Sequence, residues 1–101
     1  MSQLLSALKE AHKARIIHRD VKPENIMVER PDEKDFSIKL ADWGSSRKIN
    51  TVNNLNLTVE VIPIAYRPPE LFFESKRYSQ TVDIWSVGCL LYELIMGQRP
   101  F

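Results

Sequence analysis

Residues 18–25 read His18-Arg19-Asp20-Val21-Lys22-Pro23-Glu24-Asn25. Acidic, basic and amide side chains stand close together in this stretch. Two further short stretches follow it in order, Asp42-Trp43-Gly44 and then Pro68-Pro69-Glu70. A single short motif arises easily by chance, so the order and the gaps of the three stretches carry more information than any one of them.

The flanks of the first stretch predict that it is a loop between two short strands. Ile16-Ile17 precedes it and Ile26-Met27-Val28 follows it, and both runs are apolar and rich in β-branched residues. After an exposed charged turn, Ile38–Ala41 has apolar residues at alternate positions and predicts a returning strand. That strand would bring Asp42 beside Asp20.

Two helices are predicted, one at each end of the chain. Apolar residues recur at helical spacing in residues 4–15, which predicts an amphipathic helix. Ser79 or Thr81 can cap a longer helix, which Gly97 with Pro100 would terminate. Because the longer helix is apolar almost all round, we expect it to be buried in the core.

The segment between the strands and the long helix has no clear period. Residues 45–64 are rich in asparagine and predict a long loop, which in a compact domain is usually functional or disordered. Residues 68–73 then suit a short helix, since proline is tolerated in a first turn.

Size and composition allow one globular unit. The chain has 101 residues and a net charge of +1, so electrostatics suggest neither a nucleic-acid nor a membrane partner. The single cysteine, Cys89, excludes an internal disulfide and is typical of a reducing compartment, so we expect an intracellular protein of the cytoplasm or nucleus. We recognise no targeting signal and no apolar run long enough to cross a bilayer.

The three stretches resemble the H-R-D-x-x-x-x-N, D-F-G and A-P-E motifs of protein kinases. The resemblance covers nearly all of the chain. It implies that residues 1–101 form part of a protein kinase domain. It implies a protein-kinase-like α+β fold, here a mostly α-helical C-lobe fragment with short catalytic-loop strands and without the N-lobe.

The resemblance also implies a role for each polar residue of the motifs. Asp20 would orient and deprotonate the acceptor hydroxyl, and Lys22 would approach the γ-phosphate of ATP. Asn25 and Asp42 would offer oxygen ligands to Mg²⁺, and Met27, in a buried position, would touch the adenine. Taken residue by residue, the alternative is that Asp and Asn are turn residues and that Lys22 is a solvated charge.

Other residues would support the loop. By the same resemblance, His18 packs against Trp43, which stands in place of the D-F-G aromatic, and Asp83 anchors the backbone of the His18-Arg19 turn from the long helix. Glu70 normally pairs with an arginine that this sequence lacks.

Regulatory residues are implied as well. Arg19 and Arg47 match the arginines that bind an activating phosphate in cyclin-dependent kinases, and Thr58 matches the phosphorylated threonine. Thr51 is a weaker candidate for that threonine. Arg67 is associated in the same kinases with a preference for proline after the target residue.

The details favour a Ser/Thr kinase. Lys22 is the Ser/Thr form of the loop, so the partner implied is a protein substrate with a Ser or Thr acceptor, together with a possible regulatory subunit. Tyr66–Leu71 and Asp83–Cys89 resemble the group of cyclin-dependent, mitogen-activated and casein kinase two enzymes. Pro63 departs from this pattern, because the family usually has there a Thr or Ser whose hydroxyl bridges the catalytic Asp and Lys.

Two functions therefore stay open. The chain could be part of an active Ser/Thr kinase, since Asp20, Asn25 and Asp42 are intact. It could instead be a non-catalytic, pseudokinase-like binding fragment, which Pro63 favours. No glycine-rich loop and no V-A-I-K lysine precede His18, so the isolated chain is predicted to be inactive.

Overall fold

The computed structural model describes residues 1–30, 32, 34–48, 61–72 and 79–101, and within them it contains two α-helices and four short strands. Helix α1 spans Ser2–Lys13, and helix α2 spans Thr81–Met96. Strands β1 (Ile16–Ile17), β2 (Ile26–Glu29), β3 (Ser37–Leu40) and β4 (Arg47–Lys48) lie between the helices in the sequence. The α+β fold and the short strands around the first motif agree with the prediction.

The strands form two antiparallel pairs. Strand β2 pairs with β3 in a register that sets Ile26 opposite Leu40, and β1 pairs with β4. Strand β4 was not predicted, because two charged residues, Arg47 and Lys48, carry no apolar period. The expected loop over residues 45–64 is thus wrong at its start, and most of the remainder lies outside the described residues.

Helix α1 packs through one apolar face. Leu4 and Leu8, one turn apart, are buried, while Leu5 is exposed. Their cluster joins α1 to the loop, to β3 and to α2, and its other buried members are Val21, Leu40, Val87 and Leu90. A second buried cluster consists of Ile17, Ile62, Leu71 and Val82.

Helix α2 ends at the predicted glycine, but its N-cap is neither of the two predicted residues. The N-cap is Gln80, which makes no side-chain cap hydrogen bond, and the Ser79 hydroxyl instead accepts the N–H of Thr81 at 3.3 Å. Gly97 ends the helix in the left-handed conformation, with a φ of 74°, and donates its N–H to the Glu93 carbonyl at 2.8 Å.

The prediction that α2 is buried all round is wrong. The described residues pack against one side of it, where burial also raises the pKa of Cys89. Its C-terminal half presents an exposed apolar surface formed by Leu91, Tyr92, Leu94, Ile95 and Met96. Neither helix of the described part is long and apolar enough to cross a membrane.

The predicted short helix after Pro68 is present as a 3₁₀ turn, Pro69–Phe72. A proline in its first position costs no hydrogen bond, as expected. Residues 73–78, which include the predicted end of this element, lie outside the described residues.

Candidate functional site

The loop of residues 18–25, hereafter called the catalytic loop after the kinase motif that it resembles, ends in a 3₁₀ turn that presents Asn25. Pro23 begins this turn, and Asn25 is buried. The Asn25 Nδ2 donates to the main-chain carbonyl of Asp20 at 2.7 Å and to its Oδ2 at 2.9 Å. One amide therefore fixes both the backbone and the carboxylate of Asp20, and the Asn25 carbonyl oxygen is the side-chain atom left for a further ligand.

The second oxygen of Asp20 faces a cation. The Lys22 Nζ lies 3.4 Å from the Asp20 Oδ1, and the Lys22 side chain is 33% exposed against 13% for Asp20. Asp20 is thus a partly covered carboxylate with one oxygen held by an amide and the other beside an ammonium group. An ionised carboxylate is acceptor-only, which is the form that can take a hydroxyl proton.

The pairing of β2 with β3 brings Asp42 to the end of the catalytic loop. The Ala41 N–H donates to the Asn25 carbonyl at 2.7 Å, so the ladder continues one residue beyond the strands. Asp42 follows at once in the left-handed conformation, with a φ of 55°, and its Oδ1 accepts the Gly44 N–H at 3.3 Å. A side chain at position 44 would crowd that oxygen, since a Cβ there would lie 3.2 Å from it.

The donor set at this corner suits a hard cation. Asn25 supplies an amide oxygen and Asp42 a carboxylate, and oxygen ligands are those that Mg²⁺ prefers. No group of three or more His, Cys, Asp or Glu side chains that could hold a metal lies within the described residues. Mg²⁺ commonly takes one or two protein ligands and completes its shell with phosphate and water, so two donors fit that ion.

His18 is held between the two motifs. Its ring meets that of Trp43 edge-on, with centroids 4.5 Å apart. Its Nε2 donates to the Ala41 carbonyl at 2.9 Å, and its Nδ1 accepts the Asp20 N–H at 3.1 Å. These roles correspond to the Nε2–H tautomer, so both ring nitrogens are engaged with main-chain groups, and one of them binds the backbone of Asp20.

Asp83, in the first turn of α2, supports the start of the loop. Its Oδ2 accepts the N–H of His18 and its Oδ1 the N–H of Arg19, both at 2.9 Å. The Asp83 side chain is 1% exposed, so these bonds replace the water that a buried carboxylate would lose. They also hold Arg19 in the left-handed region, with a φ of 70°.

Two contacts were not expected from the sequence. The His12 Nε2 lies 2.8 Å from the Asp83 Oδ2. The Tyr66 hydroxyl donates to Glu93 of α2, and burial together with Glu93 raises the pKa of Tyr66. The i, i+4 spacing of Leu4, Leu8 and His12 indicates that His12 lies on the buried face of α1, but it does not indicate which residue His12 contacts.

The proposed regulatory residues are partly described. The Arg19 side chain is buried and its Nε donates to the Ser45 carbonyl at 2.7 Å. Arg47 lies in β4 opposite Ile17 and is exposed. Thr58 and Thr51 lie outside the described residues.

Arg67 and Pro63 lie in the described segment 61–72. The Arg67 guanidinium donates twice to the Ile62 carbonyl, at 3.2 and 2.8 Å, and stands over the Phe72 ring at 5.5 Å. Pro63 precedes the turn Ile64–Tyr66 and its carbonyl accepts the Tyr66 N–H. No side-chain donor is present at position 63, since proline has none.

Met27 and Glu70 are both exposed in the structure. Met27 was expected to be buried, but it is 54% exposed, because the described residues leave its face of β2 open. Glu70 is exposed, and no ion pair joins it to another described residue.

Comparison with known proteins identifies the family. The sequence model of the family described as protein kinase domain matches residues 1–101 of this chain. The chain is 46% identical over 101 residues to Cyclin-dependent kinase 2 of Caenorhabditis elegans, covering 100% of this chain and 26% of that protein. It is 43% identical over 98 residues to Cyclin-dependent kinase C-2 of rice, Oryza sativa subsp. japonica, covering 97% of this chain and 18% of the relative.

A solved structure agrees with this result. A chain in the crystal structure of the yeast RNA Pol II CTD kinase CTDK-1 complex superposes with a TM-score of 0.85 and 38% identity. The match covers 97% of this chain and 30% of the yeast chain. The chain belongs to the protein kinase family. It is similar to Ser/Thr kinases of the cyclin-dependent type, and it spans 18%, 26% and 30% of the lengths of the rice, C. elegans and yeast proteins.

Proposed function

We propose that the chain is the catalytic-loop part of a Ser/Thr protein kinase, an enzyme that transfers the γ-phosphoryl group of ATP to Ser or Thr hydroxyls of a protein substrate. The observation that carries the proposal is the setting of Asp20, which has one carboxylate oxygen bound by Asn25 and the other beside Lys22. A turn residue bonding its own backbone would not need that pair of partners.

Phosphoryl transfer depends on positioning and on neutralising charge. Asp20 orients the acceptor hydroxyl and takes its proton as the oxygen bonds to the γ-phosphorus, while the bond from that phosphorus to the β–γ bridging oxygen breaks and ADP leaves. Lys22, which is 33% exposed and a few ångströms from Asp20, is placed to offset charge on the transferred group. His18 and Asp83 hold the backbone on either side of Asp20 and so fix the direction of its carboxylate.

Asn25 and Asp42 are proposed to hold Mg²⁺. When bound, the ion neutralises charge on the phosphates of ATP. The Asn25 amide nitrogen is already committed to Asp20, which turns its oxygen away from that carboxylate. Met27, exposed on β2, is proposed to contact the adenine.

We propose that the enzyme is controlled by a regulatory subunit and by phosphorylation. Relatives of this chain are named cyclin-dependent kinases, which supports a subunit partner. Thr58 is proposed to be the phosphorylated residue, with Arg19 and Arg47 binding its phosphate. Mass mapping with Thr58→Ala tests this proposal, because an unmodified Thr58 in an active protein, or unchanged activity of the variant, would refute it.

Substrates with proline after the target residue are proposed from Arg67. Its two hydrogen bonds to the Ile62 carbonyl remove that acceptor from substrate binding. A proline after the target residue has no backbone N–H and therefore needs no acceptor there. Any other residue would have an N–H without the Ile62 carbonyl as its acceptor. On a peptide array, equal use of peptides that lack the proline would contradict this proposal.

The catalytic proposal can be tested in a chimera. The chain replaces the matching 101 residues of the C. elegans Cyclin-dependent kinase 2, which supplies the rest of a kinase domain. We expect transfer of phosphate from labelled ATP to a Ser/Thr peptide, and loss of that transfer in Asp20→Asn. Asp35→Asn makes the same chemical change at an exposed turn and serves as the matched control.

A second function is favoured by Pro63, which lacks the bridging hydroxyl. Under it the chain is a non-catalytic binding fragment, and the chimera would fold but gain activity only with Pro63→Thr.

The isolated 101 residues contain Gly44, Gly88 and Gly97 as their glycines and therefore no glycine-rich phosphate loop. We predict that they do not turn over ATP by themselves, and turnover abolished by Asp20→Asn would refute that prediction. The buried Cys89 supports our proposal that the protein acts in the cytoplasm or nucleus.

A further inference from the structure

The Asp83 carboxylate accepts from a third donor besides the two main-chain N–H groups. The His12 Nε2 lies 2.8 Å from the Asp83 Oδ2, which also accepts the His18 N–H, while the Oδ1 accepts that of Arg19. Because carboxylate oxygens accept, the Nε2 of His12 carries the hydrogen. Three elements, α1, the catalytic loop and α2, therefore meet at one buried carboxylate.

His12 reaches Asp83 because it continues the buried stripe of α1. Leu4, Leu8 and His12 follow one another at i+4 spacing, and the two leucines are packed into the core. The helix ends one residue later, at Lys13. The core contacts of α1 therefore fix where the imidazole lies, and its side chain is 12% exposed.

The carboxylate that His12 holds governs a strained piece of backbone. Arg19 is in the left-handed region, with a φ of 70°, which a non-glycine residue adopts when its surroundings enforce it. Asp83 binds the N–H of that residue, and Asp20 comes next in the chain. An Asp83 side chain free to rotate would let the His18-Arg19 peptide relax and would turn Asp20.

We propose that His12 is a positioning residue for phosphoryl transfer, acting through Asp83 on the backbone that presents Asp20. Its part in the reaction rests on the proposed kinase function, whereas its hold on the backbone does not. A packing residue at position 12 would need volume only. A positioning residue needs a donor at the place of Nε2.

That difference defines the variants. His12→Gln sets an amide N–H donor near the position of Nε2, His12→Asn carries the same amide on a shorter side chain, and His12→Leu has no donor. Lys13→Leu is the matched control, since Lys13 is an exposed neighbour that pairs with Glu10 in the same helix.

The first readout is amide hydrogen exchange of the full 101-residue chain, measured by NMR. In His12→Leu we expect the protection of the His18 and Arg19 amides to fall about tenfold relative to that of Leu90, in the range of one lost hydrogen bond. His12→Gln should keep protection within about threefold of the original chain, and His12→Asn should not. Unchanged protection in His12→Leu, equal loss at all amides, or the same loss in Lys13→Leu would overturn the proposal. Should His12→Leu not fold, the contrast of Gln with Asn decides.

The second readout is steady-state kinetics in the chimera. The expected change in His12→Leu is about a tenfold fall in kcat with the KM for ATP within about twofold, recovered by His12→Gln. A rise in KM at constant kcat would contradict a role in positioning Asp20. If the unsubstituted chimera is inactive, the proposed kinase function fails, while the amide exchange still decides whether His12 holds the loop.

Discussion

The catalytic loop and the C-terminal half of α2 differ in the contacts that they make with the other described residues. The loop is irregular backbone, yet its polar groups are bound within the described residues by Asp83, Asn25 and His18. The end of α2 is regular helix, yet Leu94 and Ile95 are 68% and 72% exposed. Within the described residues, therefore, the regular helical segment has fewer contacts to its side chains than the irregular loop has to its polar groups.

The contrast follows from the kind of contact each region needs. Hydrogen bonds to a loop are made by a few groups in defined places, and three side chains suffice here. An apolar helix face is stabilised in proportion to the area that other residues cover. The described residues pack against one side of α2 only. The site is thus assembled where many groups converge, at the start of α2 and not at its end.

Removing the anchor of the loop should have the largest effect on stability. In Asp83→Ala the N–H groups of His18 and Arg19 would be left buried without an acceptor, which we expect to cost about 3–5 kcal/mol. Urea denaturation of the 101-residue chain measures this free energy. Asp35→Ala, at an exposed turn, is the control, and an equal effect of the two substitutions would contradict the assigned role of Asp83.

A pair of leucines compares the two regions directly. Leu8 is fully buried and Leu94 is 68% exposed. We expect Leu8→Ala to lower the free energy of unfolding by about 3 kcal/mol, and Leu94→Ala by less than about 0.5 kcal/mol. A large effect at Leu94 would mean that the end of α2 is covered in solution, and analytical ultracentrifugation would show whether a second copy covers it.

Tyr66 ties the end of α2 to the segment before Pro68. Its hydroxyl donates to Glu93, and Tyr66→Phe should lose about 2 kcal/mol. Burial and Glu93 raise the pKa of Tyr66 above its ordinary value of 10.0. Below pH 10.0 the phenol is protonated in both states and adds no pH dependence. Above it the unfolded chain ionises first, so stability should fall with pH more steeply than in Tyr66→Phe, and parallel slopes would contradict the raised pKa.

Two glycines, Gly88 within α2 and Gly97 directly after it, give the smallest effects, with opposite signs. Gly88 lies within the helix and a Cβ there would meet no atom within 4 Å, so Gly88→Ala should stabilise by about 0.5–1 kcal/mol. Gly97 has a φ of 74°, so Gly97→Ala should destabilise by about 1 kcal/mol. Thermal unfolding measures both, and the same sign for both would contradict the described end of the helix.

The sequence predicted the parts of this molecule that depend on local pattern. The C-terminal end of α2, the strands around the catalytic loop and the closeness of Asp42 to that loop follow from the Gly97 cap, from periodicity and from the pairing of neighbouring strands. Strand β4 escaped prediction because its two residues, Arg47 and Lys48, are charged and owe their conformation to β1.

What the sequence did not predict depends on contacts between distant residues. His12 and Asp83 are 71 positions apart, and no periodic pattern reports a hydrogen bond across that separation. The exposure of Leu94 and Ile95 was missed for the same reason, since an apolar run indicates a preference for burial and does not supply the surface that buries it.

The most direct measurement is the initial rate of phosphoryl transfer by the chimera from labelled ATP to a Ser/Thr peptide, in the presence of Mg²⁺. If Asp20, Asn25 and Asp42 form a working site, the chimera is active, Asp20→Asn lowers the rate at least about 100-fold, and Asp35→Asn changes it by less than about twofold. A folded chimera without activity, or one that keeps its rate in Asp20→Asn, would contradict the assignment of this loop to catalysis.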